Sequence, residues 1–359
     1  MDIKKMAIEE KIGQRFIFGV NDSNVESIIE LIKTCHIGGV ILYKRNYRNY
    51  DEMLDVVRKF KKANLENSIP LFIAIDQEGG IVNRMPSEIH NLKNIYDVSK
   101  KDNSYVPEYA SIIGKMLSDS GINMNLSPVL DIYNNSKSKA LDKRCFYGDE
   151  NQVTKLGAEY VKELDNNKIV SVIKHFPGHG ASKFDSHFII PYIFNNQDVL
   201  DKHIKPFEVL LKNAPAVMVG HLLIRGLTGL VPVSMNDKFI TKYIREDNKY
   251  DGIVMTDEIN MLKRHPLYRF SYLKGILNAD NDIILVKLKD LNEGYTIINK
   301  YKSMLDNNKQ CVLELDKHVE RIIDIKKKYD ISDDDKVSGV DIEKLNKRID
   351  KINDIVNNL

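Results

Sequence analysis

Tryptophan is absent from this chain of 359 residues, and cysteine is scarce. Cys35, Cys145 and Cys311 are odd in number and lie far apart, without the close spacing of a metal site or a disulfide framework. We therefore expect reduced thiols and a cytoplasmic protein. The missing tryptophan means that any large ring available for stacking on a ligand in this protein is Tyr or Phe.

A strong charge of one sign is also missing, because 53 Lys and Arg residues face 51 Asp and Glu residues. Nucleic-acid-binding proteins usually carry a clear basic excess. No apolar run approaches the roughly 20 residues that cross a membrane, and the N-terminal residues lack the apolar stretch of a secretion signal. We expect neither a nucleic acid nor a membrane as a partner.

Short apolar runs rich in β-branched residues recur along the chain, and segments with helical periodicity separate them. There are eight such runs: Phe16–Val20, Val40–Tyr43, Leu71–Asp76, Ile122–Leu126, Val170–His175, Ala216–His221, Ile253–Thr256 and Asp282–Val286. Most are continuously apolar, which is typical of parallel strands covered on both faces. Eight alternating strand and helix units predict an α/β fold of the TIM type, a single-domain (β/α)₈ barrel.

The C-terminal part of the chain has a different pattern. After the acidic residues at 333–335, apolar residues recur at helical spacing: Ile342, Leu345, Ile349, Ile352 and Ile355. We predict a catalytic barrel over residues 1–330 and an amphipathic helical tail over residues 331–359 that packs on the barrel exterior.

Polar residues cluster where the predicted strands end: Asp76, Asp131, Lys174, His175, His221 and Asp257. In a barrel these carboxyl ends form the face that holds the active site. A charged residue at the end of an apolar strand is costly to bury without a purpose. Six of them on one rim indicate a functional site.

Asp185-Ser186-His187 lies on a predicted loop after the fifth strand, and Asp257 and Glu258 end the seventh. Asp185 is placed to orient the His187 imidazole. Ser186 lacks the G-x-S-x-G context of a hydrolase nucleophile. The histidines nearby show no tight ligand spacing, so we expect no metal and no cofactor. A carboxylate in the barrel mouth opposite an acid/base loop is the layout of a covalent glycosidase.

The ordered motifs resemble glycoside hydrolase family 3, and in particular its single-domain β-N-acetylglucosaminidases. The resemblance runs from about residue 8 to residue 330 and is carried by IDQEGG at 75–80, SPVLDI at 127–132, KRCF at 143–146, KHFPGHG at 174–180, DSH at 185–187, KPFEVLL at 205–211, VGHL at 219–222, PVSM at 232–235 and MTDEINM at 255–261. KHFPGHG followed by DSH is the most specific part.

The resemblance implies a role for each matched residue. Asp257 matches the catalytic nucleophile, and His187 with Asp185 matches the acid/base dyad. Four residues match those that hold the hydroxyls of the terminal sugar: Asp76, Arg144, Lys174 and His175. Asp131 and His221 match supporting positions at the pocket floor.

The resemblance further implies a retaining exo-β-N-acetylglucosaminidase that removes terminal GlcNAc, with peptidoglycan fragments as the carbohydrate substrate. Three alternatives stay open: a family 3 β-glucosidase, a β-N-acetylglucosamine phosphorylase and a catalytically silent sugar-binding barrel. The chain departs from the family pattern at Ile81, at Asp280, in the TDEIN context of Asp257 and in the segment RHPLYRF at 264–270. Neither the aglycone nor the oligomeric state is readable from the sequence.

Overall fold

The computed structural model describes residues 3–20, 25–133, 141–181, 191–193, 197–305, 309–334 and 337–357. Eight strands in this part of the chain follow the eight apolar runs. They are β1 (Phe16–Val20), β2 (Gly39–Leu42), β3 (Phe72–Ile75), β4 (Met124–Asn125), β5 (Val170–Phe176), β6 (Ala216–Val219), β7 (Ile253–Thr256) and β8 (Ile284–Leu288).

The strands form one parallel sheet in the order β8-β1-β2-β3-β4-β5-β6-β7. A parallel bridge between Met255 and Ile283 brings β7 back beside the chain that enters β8. The ring is therefore nearly closed, and the predicted eight-stranded (β/α)₈ barrel is confirmed. A separate pair of short parallel strands joins Tyr192–Ile193 to Leu223–Ile224.

Helices surround the barrel and follow its strands. They are α1 (Ile8–Gln14), α2 (Glu26–Cys35), α3 (Tyr50–Asn64), α4 (Ile95–Lys101), α5 (Val106–Asp119), α6 (Glu150–Asn166), α7 (Gln197–Leu210), α8 (Asp237–Ile240, continued as a π-helix over Thr241–Glu246), α9 (Asn260–Arg264), α10 (Tyr272–Asn278), α11 (Leu291–Leu305), α12 (Lys309–Lys328) and α13 (Ile342–Asn357). Apolar residues at helical spacing give the long helices one buried face.

Alternation along the strands divides the core into two parts. Ile17 of β1 belongs to the cluster inside the barrel, whereas its neighbours Phe16 and Phe18 pack outward beneath the helices. Ile322 of α12 joins the inner cluster. Beside it, the Lys326 ammonium donates to Gln14 Oε1 and to the Gly38 carbonyl, both at 2.8 Å. Helix α12 therefore covers the amino-terminal end of the barrel.

Helix α13 packs against α4 and α5 on the outside of the barrel. Asn346 and Asn353 accept hydrogen bonds from the backbone amides of His90 and Lys93, and Arg348 pairs with Glu108 at 2.9 Å. The boundary at residue 330 stays a prediction. Of the helices in the described ranges, none is long and apolar enough to cross a membrane.

Candidate active site at the carboxyl ends of the strands

The carboxyl ends of the barrel strands carry seven of the nine residues that the sequence singled out: Asp76, Asp131, Arg144, Lys174, His175, His221 and Asp257. Hydrogen bonds, ion pairs and mutual charge effects link them in one region of the barrel mouth. Asp185 and His187 lie outside the described residues, so their assignment as an acid/base dyad stays a prediction.

The first group in the mouth is a buried array of four charges. Lys174 projects from β5, and its Nζ lies 2.9 Å from Asp76 Oδ1 and 2.6 Å from Glu78 Oε1. The Arg144 guanidinium donates two hydrogen bonds to the same Glu78 carboxylate, from Nε to Oε2 at 2.9 Å and from Nη2 to Oε1 at 2.8 Å. The array neutralises itself, and Asp76 is its more exposed carboxylate, with 21% of the side chain accessible against 4% for Glu78.

Glu78 holds this array together. Burial alone would raise the pKa of its carboxyl group, but the charges of Arg144 and Lys174 outweigh burial and hold that pKa well below the usual range. Glu78 is therefore ionised at neutral pH. Because Glu78 fixes both cations, the more accessible Asp76 carboxylate retains hydrogen-bonding capacity for a ligand.

The second group joins His175 to Asp131. The Asp131 carboxylate is fully buried and lies 2.7 Å from His175 Nδ1; it also accepts the backbone amides of His175 and His179. Burial opposes the charged form, but the two histidines lower the pKa of Asp131 below its ordinary value. An ionised acceptor on Nδ1 fixes the proton on that nitrogen and leaves Nε2 for a ligand. Asp131 therefore supports the site by orienting His175.

Asp257 follows β7 directly and is half-buried. Its backbone amide donates to the Val219 carbonyl of β6 at 3.0 Å, and its Oδ1 accepts the Glu258 amide at 2.7 Å. Burial would raise the pKa of Asp257, but His175, the hydrogen bond from the Glu258 amide and the charge of Lys174 outweigh burial and hold the pKa below the ordinary value. The result is an ionised carboxylate at the barrel mouth, in the state that a nucleophile requires.

The neighbouring Glu258 turns away, as expected for adjacent residues that leave a strand on opposite faces. Its Oε1 accepts the backbone amides of Asn260 and Lys287 at 3.0 and 3.2 Å. Burial raises the pKa of Glu258. The two carboxylates thus differ in their contacts: Glu258 ties the ends of β7 and β8 together, whereas Asp257 accepts the amide of the residue that follows it.

His221 is buried behind this pair. Its Nε2 lies 3.1 Å from the Glu258 carbonyl, which accepts only, so Nε2 carries a proton. Its Nδ1 lies 2.7 Å from Ser234 Oγ. Burial lowers the pKa of His221, which favours the neutral imidazole with the Ser234 hydroxyl donating to Nδ1. His221 positions the backbone beside Asp257, in keeping with a supporting role.

Sequence reasoning missed Glu78 and Arg84. Glu78 lies inside the IDQEGG motif, but only Asp76 was selected from it, and the pairing with Arg144 needs two segments 66 residues apart. Arg84 Nη2 approaches Asp76 Oδ2 at 3.8 Å. Ile81, where the family pattern has a basic residue, is 65% exposed. Arg84 therefore places a positive charge at Asp76 even though position 81 has none.

Tyr43, directly after β2, is a tyrosine whose phenol lies within the electrostatic influence of these carboxylates. Burial raises the pKa of its phenol, and the charges of Asp76, Glu258 and Asp257 raise it further. That a Tyr or Phe ring stacks on the ligand stays a prediction.

One cluster elsewhere has the composition of a metal site. Asp280, Asp282 and His318 offer ligand atoms within 4.8 Å of one another, just before β8. Arg245 and Arg321 already pair with the Asp282 oxygens at 2.6 and 2.8 Å. The cluster is therefore an ion-pair network, and it accounts for Asp280: this departure from the family pattern adds a carboxylate beside two arginines.

The chain is similar to known glycoside hydrolases in sequence and in structure. The family model "Glycosyl hydrolase family 3 N terminal domain" matches residues 7–325. A β-hexosaminidase A from Pseudoalteromonas piscicida is 31% identical over 253 residues, which are 65% of this chain and 42% of that protein. A β-hexosaminidase from Photobacterium profundum is 27% identical over 237 residues, 65% of this chain and 69% of that protein. The chain thus spans less than half the length of the first of these relatives.

Solved structures agree with the fold. The glycoside hydrolase family 3 β-N-acetylglucosaminidase from Paenibacillus sp. str. FPU-7 superimposes with a TM-score of 0.87 at 25% identity, covering 98% of this chain and 69% of that one. The β-N-acetylhexosaminidase from Beutenbergia cavernae superimposes with a TM-score of 0.81 at 21% identity, covering 90% of this chain and 99% of that one.

Proposed function

Because this chain belongs to glycoside hydrolase family 3, we propose that it is a retaining exo-β-N-acetylglucosaminidase that removes terminal, non-reducing GlcNAc from a carbohydrate. The observation that carries the proposal is Asp257, a half-buried carboxylate at the end of β7 whose pKa is held low by His175, by the Glu258 amide and by Lys174. The named β-hexosaminidase relatives supply the substrate class.

The proposed reaction has two displacement steps. In the first, an Asp257 carboxylate oxygen attacks the anomeric carbon, the bond to the leaving oxygen breaks, and protonated His187 gives that oxygen its proton. In the second, neutral His187 takes a proton from water, the water oxygen bonds to the anomeric carbon, and the ester to Asp257 breaks. Two inversions restore the β configuration. Asp185 orients the His187 imidazole in both steps.

The remaining polar residues hold the sugar. Asp76 is the accessible acceptor for sugar hydroxyls, and Lys174 and Arg144 keep it in place, Lys174 directly and Arg144 through Glu78. His175, oriented by Asp131, presents Nε2 as a further contact. An array of charged groups suits a sugar because each hydroxyl both donates and accepts hydrogen bonds.

We also propose that the natural substrates are peptidoglycan fragments in which GlcNAc is linked to MurNAc or its anhydro form, and that the protein works in the cytoplasm. The family resemblance supports the substrate. Cys35 and Cys145 are free thiols, which accords with a reducing compartment. Release of GlcNAc from both disaccharides, with and without an attached peptide, tests the substrate.

The reaction is tested with 4-nitrophenyl β-N-acetylglucosaminide and the matching β-glucoside. We expect hydrolysis of the first to dominate, and NMR of the first-formed sugar to show the β anomer. Dominant glucoside hydrolysis would assign a β-glucosidase instead. GlcNAc 1-phosphate formed in phosphate buffer would assign a phosphorylase, and sugar binding without turnover would assign a silent barrel.

Asp257→Asn with Glu258→Gln as its control separates chemistry from folding. We expect Asp257→Asn to lower kcat by at least about 1,000-fold with an unchanged melting temperature. Glu258→Gln keeps a carbonyl oxygen that accepts the Asn260 and Lys287 amides, so it should retain most of the activity. Equal losses in both variants would contradict the assignment.

A further inference from the structure

Two loops at the carboxyl face of the barrel expose large apolar side chains to solvent. Phe270 is 82% exposed, Leu230 is 75% exposed and Leu267 is 70% exposed. The Tyr268 hydroxyl donates to the Leu230 carbonyl at 2.7 Å, which joins the loop after β6 to the loop after β7. We call residues 225–231 and 263–271 together the rim. The Tyr268–Leu230 hydrogen bond brings the loop that exposes Leu230 beside the loop that exposes Leu267 and Phe270.

The rim is positively charged. From 222 to 236 and from 259 to 279 the sequence contains no Asp or Glu, but it contains Arg225, Lys263, Arg264, Arg269 and Lys274. The whole chain has nearly equal numbers of acids and bases, so the composition of these two segments is more basic than the average of the chain. Arg269 lies over the Phe270 ring, 4.5 Å from its centroid, so that charge and apolar surface are directly adjacent.

A cavity beside the rim continues the positive charge. It has a volume of about 510 Å³ and lies between the ends of β7 and β8, where four cations line it: Lys263, Arg264, Lys287 and Lys289. Glu293 is the acidic residue in its wall, and it pairs with Lys263. The remaining cations give the cavity the charge that a phosphate group requires.

The shape and charge of the rim favour one kind of binding partner over others. Its apolar side chains protrude, so they need a fluid apolar phase into which they can insert. A second copy of the chain on a twofold axis would place this cationic surface against itself, which is unfavourable. An anionic bilayer satisfies both features, because its acyl chains accept the apolar side chains and its phosphates pair with arginine and lysine.

We propose that the rim is a peripheral membrane-binding surface that docks the protein on anionic phospholipid. This replaces the expectation of no membrane partner, which addressed spanning segments and not a surface of this kind. It also gives a role to the unusual segment RHPLYRF, whose Leu267, Arg269 and Phe270 belong to the rim. Docking turns the barrel mouth toward the lipid surface. The proposal does not depend on the reaction that the barrel catalyses.

Vesicle co-sedimentation of the full chain tests the proposal. We use vesicles of phosphatidylglycerol and phosphatidylcholine in equal parts and compare them with pure phosphatidylcholine. At low salt the protein should sediment with the anionic vesicles at least about tenfold more strongly than with the neutral ones, and added salt should weaken binding. Absence of binding to the anionic vesicles at low salt would overturn the proposal.

Variants locate the surface. Leu267→Ser with Phe270→Ser should lower the partition coefficient about tenfold or more, and Arg264→Gln with Arg269→Gln should lower it about tenfold at low salt. Leu313→Ser on α12 is the matched control, because Leu313 is also 58% exposed but lies outside the rim. Equal binding by the rim variants and wild type would place the contact elsewhere and refute the proposal; unchanged melting temperatures verify folding.

Discussion

Replacing Glu78 by Gln removes the central charge of the four-charge array and tests whether that carboxylate holds it together. Glu78 is buried and contacts Arg144 at two points and Lys174 at 2.6 Å. The substitution leaves two buried cations facing Asp76 alone. Breaking a buried ion pair by removing one partner costs about 3–5 kcal/mol. The amide oxygen of Gln retains one acceptor, so we expect about 3 kcal/mol.

This loss converts into a measurable shift of the melting temperature. At about 2.1 cal/mol/K for each residue, unfolding a chain of this length has an entropy of about 0.75 kcal/mol/K, so 3 kcal/mol lowers Tm by about 4 °C. Circular dichroism at 222 nm follows the transition. We also expect KM to rise more than kcat falls, because Lys174 would shift toward Asp76 and occupy the acceptor that serves the sugar.

Glu52→Gln is the matched control. Arg48 contacts Glu52 through Nε and Nη2, the same two-point geometry that Arg144 has with Glu78, but the Arg48–Glu52 pair lies at the surface. Solvent screens such a pair, so Tm should stay essentially unchanged. If Glu78→Gln and Glu52→Gln have the same Tm as the wild type, the buried array does not depend on Glu78 and our account of it is wrong.

Two further predictions concern Lys326 and Asp131. Burial lowers the pKa of Lys326 to about 7, so between pH 7 and 10 the unfolded chain binds more protons than the folded one and the free energy of unfolding rises with pH. Urea unfolding should show a rise of about 2 kcal/mol between pH 7 and 9 in the wild type and in the exposed control Lys327→Met, but not in Lys326→Met. A rise of the same size in all three proteins would contradict this prediction. Asp131→Asn removes the ionised acceptor of the His175 Nδ1 proton. A hydrogen bond to a charged group contributes about 2 kcal/mol, so kcat/KM should fall by about 30-fold. An unchanged kcat/KM would show that other contacts orient His175.

Much of the fold was predictable because the barrel strands are continuously apolar. The predicted bounds of β1 and β7 agree with the structure at both ends, since a run buried on two faces has a sharp composition boundary. The run at 122–126 overestimates β4, which covers only Met124–Asn125. Beyond Asn125 the backbone still contacts both neighbouring strands, Leu126 at Ile75 and Val129 at Lys174, but these contacts do not form a continuous ladder. Hydrophobicity alone does not detect that limit.

The candidate site was predictable in part for a related reason. The rule that barrel chemistry lies at the carboxyl ends of strands located Asp76, Lys174, His175 and Asp257 from the sequence. It could not reveal Glu78, whose importance comes from a contact with Arg144 across 66 positions of the chain. Nor could it distinguish Asp257 from Glu258, because their roles depend on which backbone amides each carboxylate accepts in the folded chain.

The central claim is that Asp257 forms a covalent bond to the sugar, and mass spectrometry after trapping tests it most directly. A 2-fluoro glycoside with a good leaving group slows the second step more than the first, so the glycosyl-enzyme accumulates. We predict a mass increase of one fluorosugar, which peptide mapping places on Asp257 and which Asp257→Asn abolishes. An adduct on another carboxylate, or turnover without any adduct at Asp257, would contradict the account.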